Sequence, residues 1–479
     1  PPVCLVYVTG VPKQGVGPHD VAIALCARVY KTGFVKNQIL EFAGPGIAGL
    51  SMDYRFGIDV MTTETACLSS VWQTDEKVQS YLAAHNRITD YRALSPQDGA
   101  YYDQMIELDL STVEPMAALP FHPSEAYSIR ELQQSPQDIL HEVEQRAKEQ
   151  FGEKVDLRLT QKVQNGSLVL DQGIIAGCAG GMFDNIAEAE AILRGYTVGD
   201  DGFSLSIYPP SVPVSLELIA HGQMASLLQS GALFKPCFCG PCFGAGDVPA
   251  NNGLSIRHTP RNFPNREGSR PADGQLAAVM LMDARSIAAT ARNHGVLTAA
   301  TQVDYETPKP TEQQFDRQVY EARCYFGFGK PDPAAELCFG PNITPWPEIP
   351  PLSENLLLEL ASVIRDPVTT TDELIPSGET SSYRSNPLKL ATFTLSRRDP
   401  EYVGRAQRIQ ALEAQRAAGN QPEELVQTLS AFGLSSQLLE STHFGSVIFA
   451  NKPGDGSARE QAASCQRVLG GAANLCYEY

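Results

Sequence analysis

Cys237-Phe238-Cys239-Gly240-Pro241-Cys242-Phe243-Gly244, running on to Arg257-His258-Thr259-Pro260-Arg261-Asn262-Phe263-Pro264-Asn265-Arg266, packs more chemistry into a short span than any other part of this chain. A C-x-x-C pair precedes a cluster of arginines. Thiolates beside guanidiniums point to a metal site next to an anion site. Cys239-Gly-Pro-Cys242 by itself has three readings. Its Gly-Pro spacer suits a redox dithiol, but such a motif belongs early in a compact domain and usually follows Trp, whereas here it is mid-chain and follows Phe238. It is half of a zinc site, but no second C-x-x-C or His pair stands at finger spacing. It is an iron–sulfur ligand pair whose remaining ligand comes from elsewhere. Two incidental thiols are the bland alternative.

The totals narrow the setting. A chain of 479 residues predicts about three domains. With 37 Lys and Arg against 55 Asp and Glu, the formal net charge is −18. That argues against broad binding to nucleic acid or anionic membranes, which needs a basic face, but leaves room for a local basic pocket. The 11 cysteines are scattered rather than spaced as a disulfide framework, so a reducing, cytoplasmic compartment is expected. No apolar run approaches ~20 residues, so no membrane span is expected. No signal peptide is visible, and a monomer is expected. The chain opens on Pro1-Pro2 without Met and closes on Cys476–Tyr479 within what reads as a helix, so both ends are expected to be cut.

Taken in order, the chain reads as α/β. Residues 3–8 read as a buried strand and Asp20 as the N-cap of a helix from about Val21 to Tyr30. A strand from Gln38 to Ala43, with Glu41 near its end, leads into Gly44-Pro45-Gly46. A surface or salt-bridged carboxylate is the bland reading of Glu41. Residues 101–125 read as a domain border, and Ser135-Pro136 starts a helix that stops at Gly152. In a second α/β stretch, strands at Ser167–Leu170 and Ile174–Ala176 precede the Gly-rich turn Gly177-Cys178-Ala179-Gly180-Gly181. Helices are expected over about 184–193, 214–229 and 283–293, and a strand over 204–208. Cys178 therefore sits at a strand-to-helix turn, where α/β sheets bind ligands. Residues 303–355, with Thr307-Pro308-Lys309-Pro310, read as an extended linker. The last unit holds a polar helix around 400–418, a strand at Ser446–Ala450 and then Gly456-Ser457-Ala458-Arg459 opening a helix. Backbone N–H groups, a hydroxyl and a guanidinium converge there, which suits a carboxylate or phosphate, with a plain Ser N-cap as the bland reading.

In combination, Glu41-Phe-Ala-Gly-Pro-Gly, Gly177-Cys178, Cys239-Gly-Pro-Cys242, Arg261-Asn-Phe-Pro-Asn-Arg266, Thr370-Thr371-Asp372 and Gly456-Ser457-Ala458-Arg459-Glu460 resemble the ordered landmarks of the aconitase family. The resemblance spans nearly the whole chain. It implies three-layer α/β/α domains plus a C-terminal swivelling α/β domain: 1–125 as the family's second domain, 126–305 as the third, 306–355 as linker and 356–479 as the swivel domain. It implies a [4Fe-4S] cluster held by Cys178, Cys239 and Cys242, with one iron left open as a Lewis acid. Arg261, Arg266, Arg384 and Arg459 would bind carboxylates of a hydroxy di- or tricarboxylic acid. Ser457 would be the base that removes a carbon-bound proton, supported by Arg459, and Glu41 would lie near the hydroxyl. The reaction class implied is reversible dehydration.

The chain departs from the family pattern. Ala179-Gly180 stand for Thr-Asn, Pro260 for Asn, Ala458 for Ser and Glu373 for His, each removing a polar group from the expected pocket. This marks a divergent branch of hydratases. The family's first domain, which supplies the acid that protonates the leaving hydroxyl, has no counterpart here, so acid catalysis by this fragment alone is expected to be incomplete. Competing readings are an RNA-binding regulator on the same fold, against which the charge of −18 counts, a non-catalytic cluster-binding iron sensor, and a thioredoxin-like oxidoreductase.

Overall fold

The computed structural model describes residues 1–152, 155–199, 202–309 and 314–479; Pro310 of the expected linker lies outside the described residues. The chain forms two compact units, Pro1–Ser269 with Gln275–Pro331, and Arg270–Gly274 with Asp332–Tyr479.

The first unit holds two main sheets. Strands β1 (Val3–Thr9), β2 (Ile39–Ala43), β3 (Ser69–Trp72) and β4 (Gln104–Asp109) pair in the order β3-β2-β1-β4, all parallel. Cys4, Val6 and Val8 of β1 alternate into the core while Tyr7 faces out, the period-2 signature of a sheet with one covered face. Next come β5 (Met116–Ala118), β6 (Ala126–Ser128), the hairpin β7 (Val163–Gln164) with β8 (Ser167–Leu168), then β9 (Gln172–Ala176), β10 (Ser204–Tyr208), β11 (Leu233–Phe234), β12 (Leu254–His258) and β13 (Ala278–Met282). Seven of these form one sheet in the order β11-β10-β9-β12-β13-β5-β6. β9 to β13 are parallel, and β5 and β6 add an antiparallel edge. β13, Ala-Val-Met-Leu-Met, is buried throughout, as a parallel strand covered on both faces must be.

The strand order sets the site. From β9 the chain steps outward through β10 and β11, then returns to the other side of β9 to lay down β12 and β13. Between the C-terminal ends of β9 and β12 the connections depart in opposite directions, which opens a crevice.

The helix Pro18–Val29 joins the two sheets: its Ala22 and Ile23 pack with Met61, Ala118 of β5, and Val279 and Leu281 of β13. Asp20 is not its N-cap. Pro18, with φ preset for a first helical position, moves the start to Gly17. Asp20 then reaches back to accept from the Gly17 N–H at 2.8 Å, and its other oxygen accepts from the Met116 N–H at 2.8 Å. The helix expected over 214–229 is two, Val212–Ala220 and Gln223–Gln229, divided where Gly222 turns left-handed at φ +82°. The expected border at 125 falls between β5 and β6; β5 belongs to the seven-stranded sheet because Leu281 pairs with Ala118.

The second unit contains β14 (Asn355–Ile364), β15 (Thr369–Thr370), β16 (Thr442–Ala450), β17 (Pro453–Asp455) and β18 (Gly471–Leu475). β14-β16-β18 form a parallel sheet and β15-β17 a parallel pair. Tyr402, Ala406 and Ile409 of the helix Tyr402–Ala417 share its core with Phe444 and Ile448. The C-terminal stretch expected to be helical follows β18 without forming a helix; small residues Gly471-Ala-Ala instead fit a strand beside β16.

The α/β reading holds. In urea unfolding, Asp20→Ala is expected to cost roughly 2–4 kcal/mol, because two main-chain donors lose their acceptors, and Asp20→Asn less. Equal stability of Asp20→Ala and wild type would contradict the bridging role.

Candidate functional site

Cys178 lies just past β9, in the short helix Gly177–Gly180. Gly177 has φ +64°, and a Cβ built on it would come within 3.8 Å of Cys242 Sγ. That left-handed residue turns the chain so that Cys178 faces the crevice edge beside the C-x-x-C loop. Cys239 and Cys242 flank a 3₁₀ turn, Gly240–Cys242, in which the Cys242 N–H donates to the Cys239 carbonyl at 3.0 Å. Cys178 and Cys239 are exposed and Cys242 half-buried.

The three thiols feel one another. Burial pushes Cys242 up to about 12, with the charges of Cys239 and Cys178 adding to the rise and Arg266 and Arg257 opposing it. Cys178 is also raised, first by the atoms crowding its sulfur, then by Cys239, against a lowering by Arg261. The crevice thus holds three sulfurs and three guanidiniums. Soft thiolates are the donors that iron–sulfur and zinc centres use. Among the described residues no three His, Cys, Asp or Glu side chains converge as ligands of one metal ion.

Arg261 follows β12 and is held from two sides. Asn262, buried, donates to the carbonyls of Ala118 at 3.1 Å and Leu119 at 2.7 Å, which anchors the Arg-Asn-Phe turn to the end of β5. Arg261 Nη2 meets Glu64 Oε1 at 2.7 Å, and Glu64 is 5% exposed, so this pair is largely shielded from water. Arg266 is buried in the same turn. Glu41 sits elsewhere in its local network: its Oε1 accepts from Tyr102 at 3.0 Å, across the first sheet.

Beneath the Cys178 turn lies a buried polar cluster. His19 and His258 stack with ring centroids 4.2 Å apart. Burial drives both imidazoles down, His258 to about 4. Asp283 accepts from the His19 N–H at 3.1 Å and from Arg285 Nη1 at 3.1 Å. The Ala284 N–H donates to His258 Nδ1 at 3.0 Å, which makes Nδ1 an acceptor.

In the second unit, Ser457 is exposed and is not the N-cap: the helix runs Arg459–Val468 with Ala458 at its cap. Gly456, at φ +138°, comes so close to Thr371 that a Cβ there would clash with its hydroxyl. Arg459 Nε donates to the Gly456 carbonyl at 2.8 Å, and Arg384 Nη1 to Gln461 Oε1 of the same helix at 3.3 Å. Arg384, Ser457 and Arg459 therefore gather at one helix start. Glu373 closes a capping box with Thr370, accepting from its N–H at 2.8 Å and its hydroxyl at 3.0 Å.

Glu64, Arg257 and the His19–His258–Asp283 cluster were not singled out as site residues by the motifs. The one available signal was Arg257, a charge inside an otherwise strand-like run Leu254-Ser-Ile-Arg-His.

A family model described as "Aconitase family (aconitate hydratase)" matches residues 1–289. Homoaconitase, mitochondrial, of Eremothecium gossypii is 29% identical over 308 residues, 60% of this chain and 40% of that protein. The 3-isopropylmalate dehydratase large subunit of Moorella thermoacetica is 26% identical over 276 residues, 57% of each chain. The 2,3-dimethylmalate dehydratase large subunit of Eubacterium barkeri is 25% identical over 281 residues, 58% of this chain and 59% of that protein. The chain thus spans about half the length of the relatives it matches. Among the described residues no helix is long and apolar enough to cross a membrane.

Two outcomes are expected. In protein free of metal, iodoacetamide at pH 8 should label Cys239 well before Cys242, read by peptide mass spectrometry, since only the thiolate reacts; equal rates would contradict the burial of Cys242. Burial raises Glu373 from 4.5 to about 7. A raised folded-state value means stability is fully present below about 4.5 and lost as pH rises through about 7. Thermal melts between pH 4.5 and 8 should therefore show a decline that Glu373→Gln, which keeps the cap, flattens; parallel curves for the two proteins would refute it.

Proposed function

Since the chain belongs to the aconitase family, we propose that it forms part of an iron–sulfur hydro-lyase acting on a hydroxy di- or tricarboxylic acid. The observation that carries this reading is the meeting of Cys178, Cys239 and Cys242 with Arg261 at the switch point of a parallel sheet. The relatives named for isopropylmalate and dimethylmalate favour a substituted malate, a hydroxy dicarboxylate, among the candidate substrates.

The donor set fits a [4Fe-4S] cluster. It is all sulfur, spread around one crevice rather than focused on one point, as when each thiolate binds a different iron. Cys178, Cys239 and Cys242 would hold it. Bound there with one iron free of protein thiolate, it supplies a Lewis acid for a hydroxyl and its neighbouring carboxylate.

The chain's own residues do the rest. Arg261, fixed by Glu64 and by the anchored Asn262, presents its guanidinium to a substrate carboxylate in a set orientation. Arg266 adds a second cation in the same turn. In the second unit we assign Ser457 as the base that takes the carbon-bound proton, with Arg459 and Arg384 binding carboxylate. Glu41 is assigned near the hydroxyl on the family resemblance. The electron pair of the broken C–H bond forms the alkene as the C–O bond breaks; the departing hydroxide takes up a proton and leaves as water, with no net oxidation.

Anaerobic reconstitution tests this, scored by iron and sulfide content for wild type, Cys178→Ser, Cys239→Ser and Ser457→Ala. Wild type should take up close to one cubane and both cysteine variants lose it. Ser457→Ala should keep it and lose about 10²–10⁴-fold in hydration of unsaturated di- and tricarboxylates. Absence of a cluster in wild type, or an unchanged Cys178→Ser, would overturn the enzyme reading.

A further inference from the structure

Every residue of β12 is buried, including Arg257 at 1% exposure. Taking a guanidinium out of water costs several kcal/mol unless its donors are met. Here they are met, and by which groups is informative. Nη1 donates to the carbonyl of Pro241, inside the Cys239–Cys242 turn. Nη2 donates to the carbonyl of Asp247 at 3.1 Å and, at 3.5 Å, to Gln172 Oε1 of β9. Nε donates to Ser255 Oγ at 2.9 Å, and that hydroxyl in turn donates to Gln172 Oε1 at 2.7 Å. No carboxylate oxygen is among these acceptors. Asp247 offers its carbonyl, while its carboxylate accepts from Tyr208 and lies 3.9 Å from Lys235 Nζ.

The hydrogen bonds are not those of an ion pair, although the buried Glu267 carboxylate acts on the guanidinium through space. A cation mounted on the central strand grips two main-chain carbonyls of an irregular loop, one within the C-x-x-C turn and one beyond it. The planar fork suits this task, since its donors are fixed relative to one another and span two acceptors at once. The loop's regular structure consists of the single 3₁₀ turn Gly240–Cys242. Local contacts add to it: the Phe243 and Ala245 N–H groups both donate to the Gly240 carbonyl, at 3.1 and 3.0 Å. Such contacts shape the loop without fixing it to the sheet; Arg257 does so from β12, and the bond from Tyr208 of β10 to the Asp247 carboxylate adds a tie at the loop's far end.

We propose that Arg257 is the positioning residue of the cysteine loop: from β12 it clamps the Pro241 and Asp247 carbonyls, fixes the direction in which Cys239 and Cys242 are presented to the crevice, and sets a permanent positive charge behind them. The clamp rests on the reading of these cysteines as cluster ligands. Its charge offsets part of the repulsion among neighbouring thiolates, so that ligands arrive gathered rather than being collected by the incoming iron and sulfide.

The experiment compares wild type, Arg257→Met and Arg257→Lys in the full chain by amide hydrogen exchange and, in parallel, by iron and sulfide content after anaerobic reconstitution. In metal-free Arg257→Met, amides of residues 240–247 should exchange at least about tenfold faster, while β9 and β13 keep wild-type protection and cluster content falls below half. Arg257→Lys, with charge but no fork, should show a loosened loop with an intermediate cluster content. Unchanged loop exchange in Arg257→Met, or a full cluster complement in spite of a loosened loop, would overturn the proposal. If β9 and β13 also lose protection in Arg257→Met, Arg257→Lys decides: wild-type loop exchange there refutes the clamp, and selective loosening supports it. A wild type that binds no cluster defeats the ligand reading, while the exchange measurement still settles whether Arg257 holds the loop.

Discussion

The carboxylate of Asp283, fully buried at the end of β13, ties together the segments that build the crevice. One oxygen accepts from the main chain and the guanidinium of Arg285; the other accepts from the His19 N–H and stands 3.9 Å from His258 Nδ1. The first turn of the inter-sheet helix, the end of β12 and the start of the helix after β13 therefore share one anion. Its price in lost hydration is offset by Arg285 and by the main-chain donors, and despite burial it is held below the usual carboxylate range. Arg285 is held charged in turn, because Asp283 and Glu188 outweigh the burial that works against it. Were this carboxylate removed, the His19 N–H and the Arg285 guanidinium would lose the acceptor they share.

Two buried guanidiniums serve the crevice differently. Arg285 is neutralised by carboxylates and stabilises the scaffold. Arg257 bonds carbonyls and a serine hydroxyl, and its charge is shared between the buried Glu267 carboxylate and the Cys242 sulfur. The contrast lies in which atoms accept their hydrogen bonds.

Much of the scaffold was legible because its signals are local. The buried strand over residues 3–8 and the Ser135-Pro136 helix start each read correctly from a few residues. The landmarks around Cys178, Cys239, Cys242 and Arg261 were legible for the same reason, since each is a short motif at the end of a strand. Glu64 was not, because nothing in Met61-Thr-Thr-Glu64-Thr announces a partner that the fold brings from the far side of the unit. Glu41 drew notice by standing in a recognisable string, yet its immediate partner is Tyr102. Asp20 ahead of an apolar run from Val21 has the sequence signature of an N-cap; Pro18 and Gly17 decide otherwise, and Asp20 has a second task at Met116 that only tertiary structure reveals. Glu373 counted as a lost polar group in the pocket, whereas its carboxyl is engaged in a capping box with Thr370.

The central place of β12 has a kinetic side. Its partners in the sheet include β9, and the bond from Ser255 to Gln172 joins residues 83 apart in sequence. On the other side it meets β13, which reaches back to β5 through the Leu281–Ala118 pair. Both closures are of high sequence separation, so entropy is lost before the contacts repay it, and such pairings form slowly. Until β12 enters, the edges of β9 and β13 stand open, and open apolar strand edges are where nascent chains associate with one another. The strand that brings Arg257 and Arg261 to the crevice is thus also the one whose late arrival leaves the growing sheet most vulnerable to aggregation.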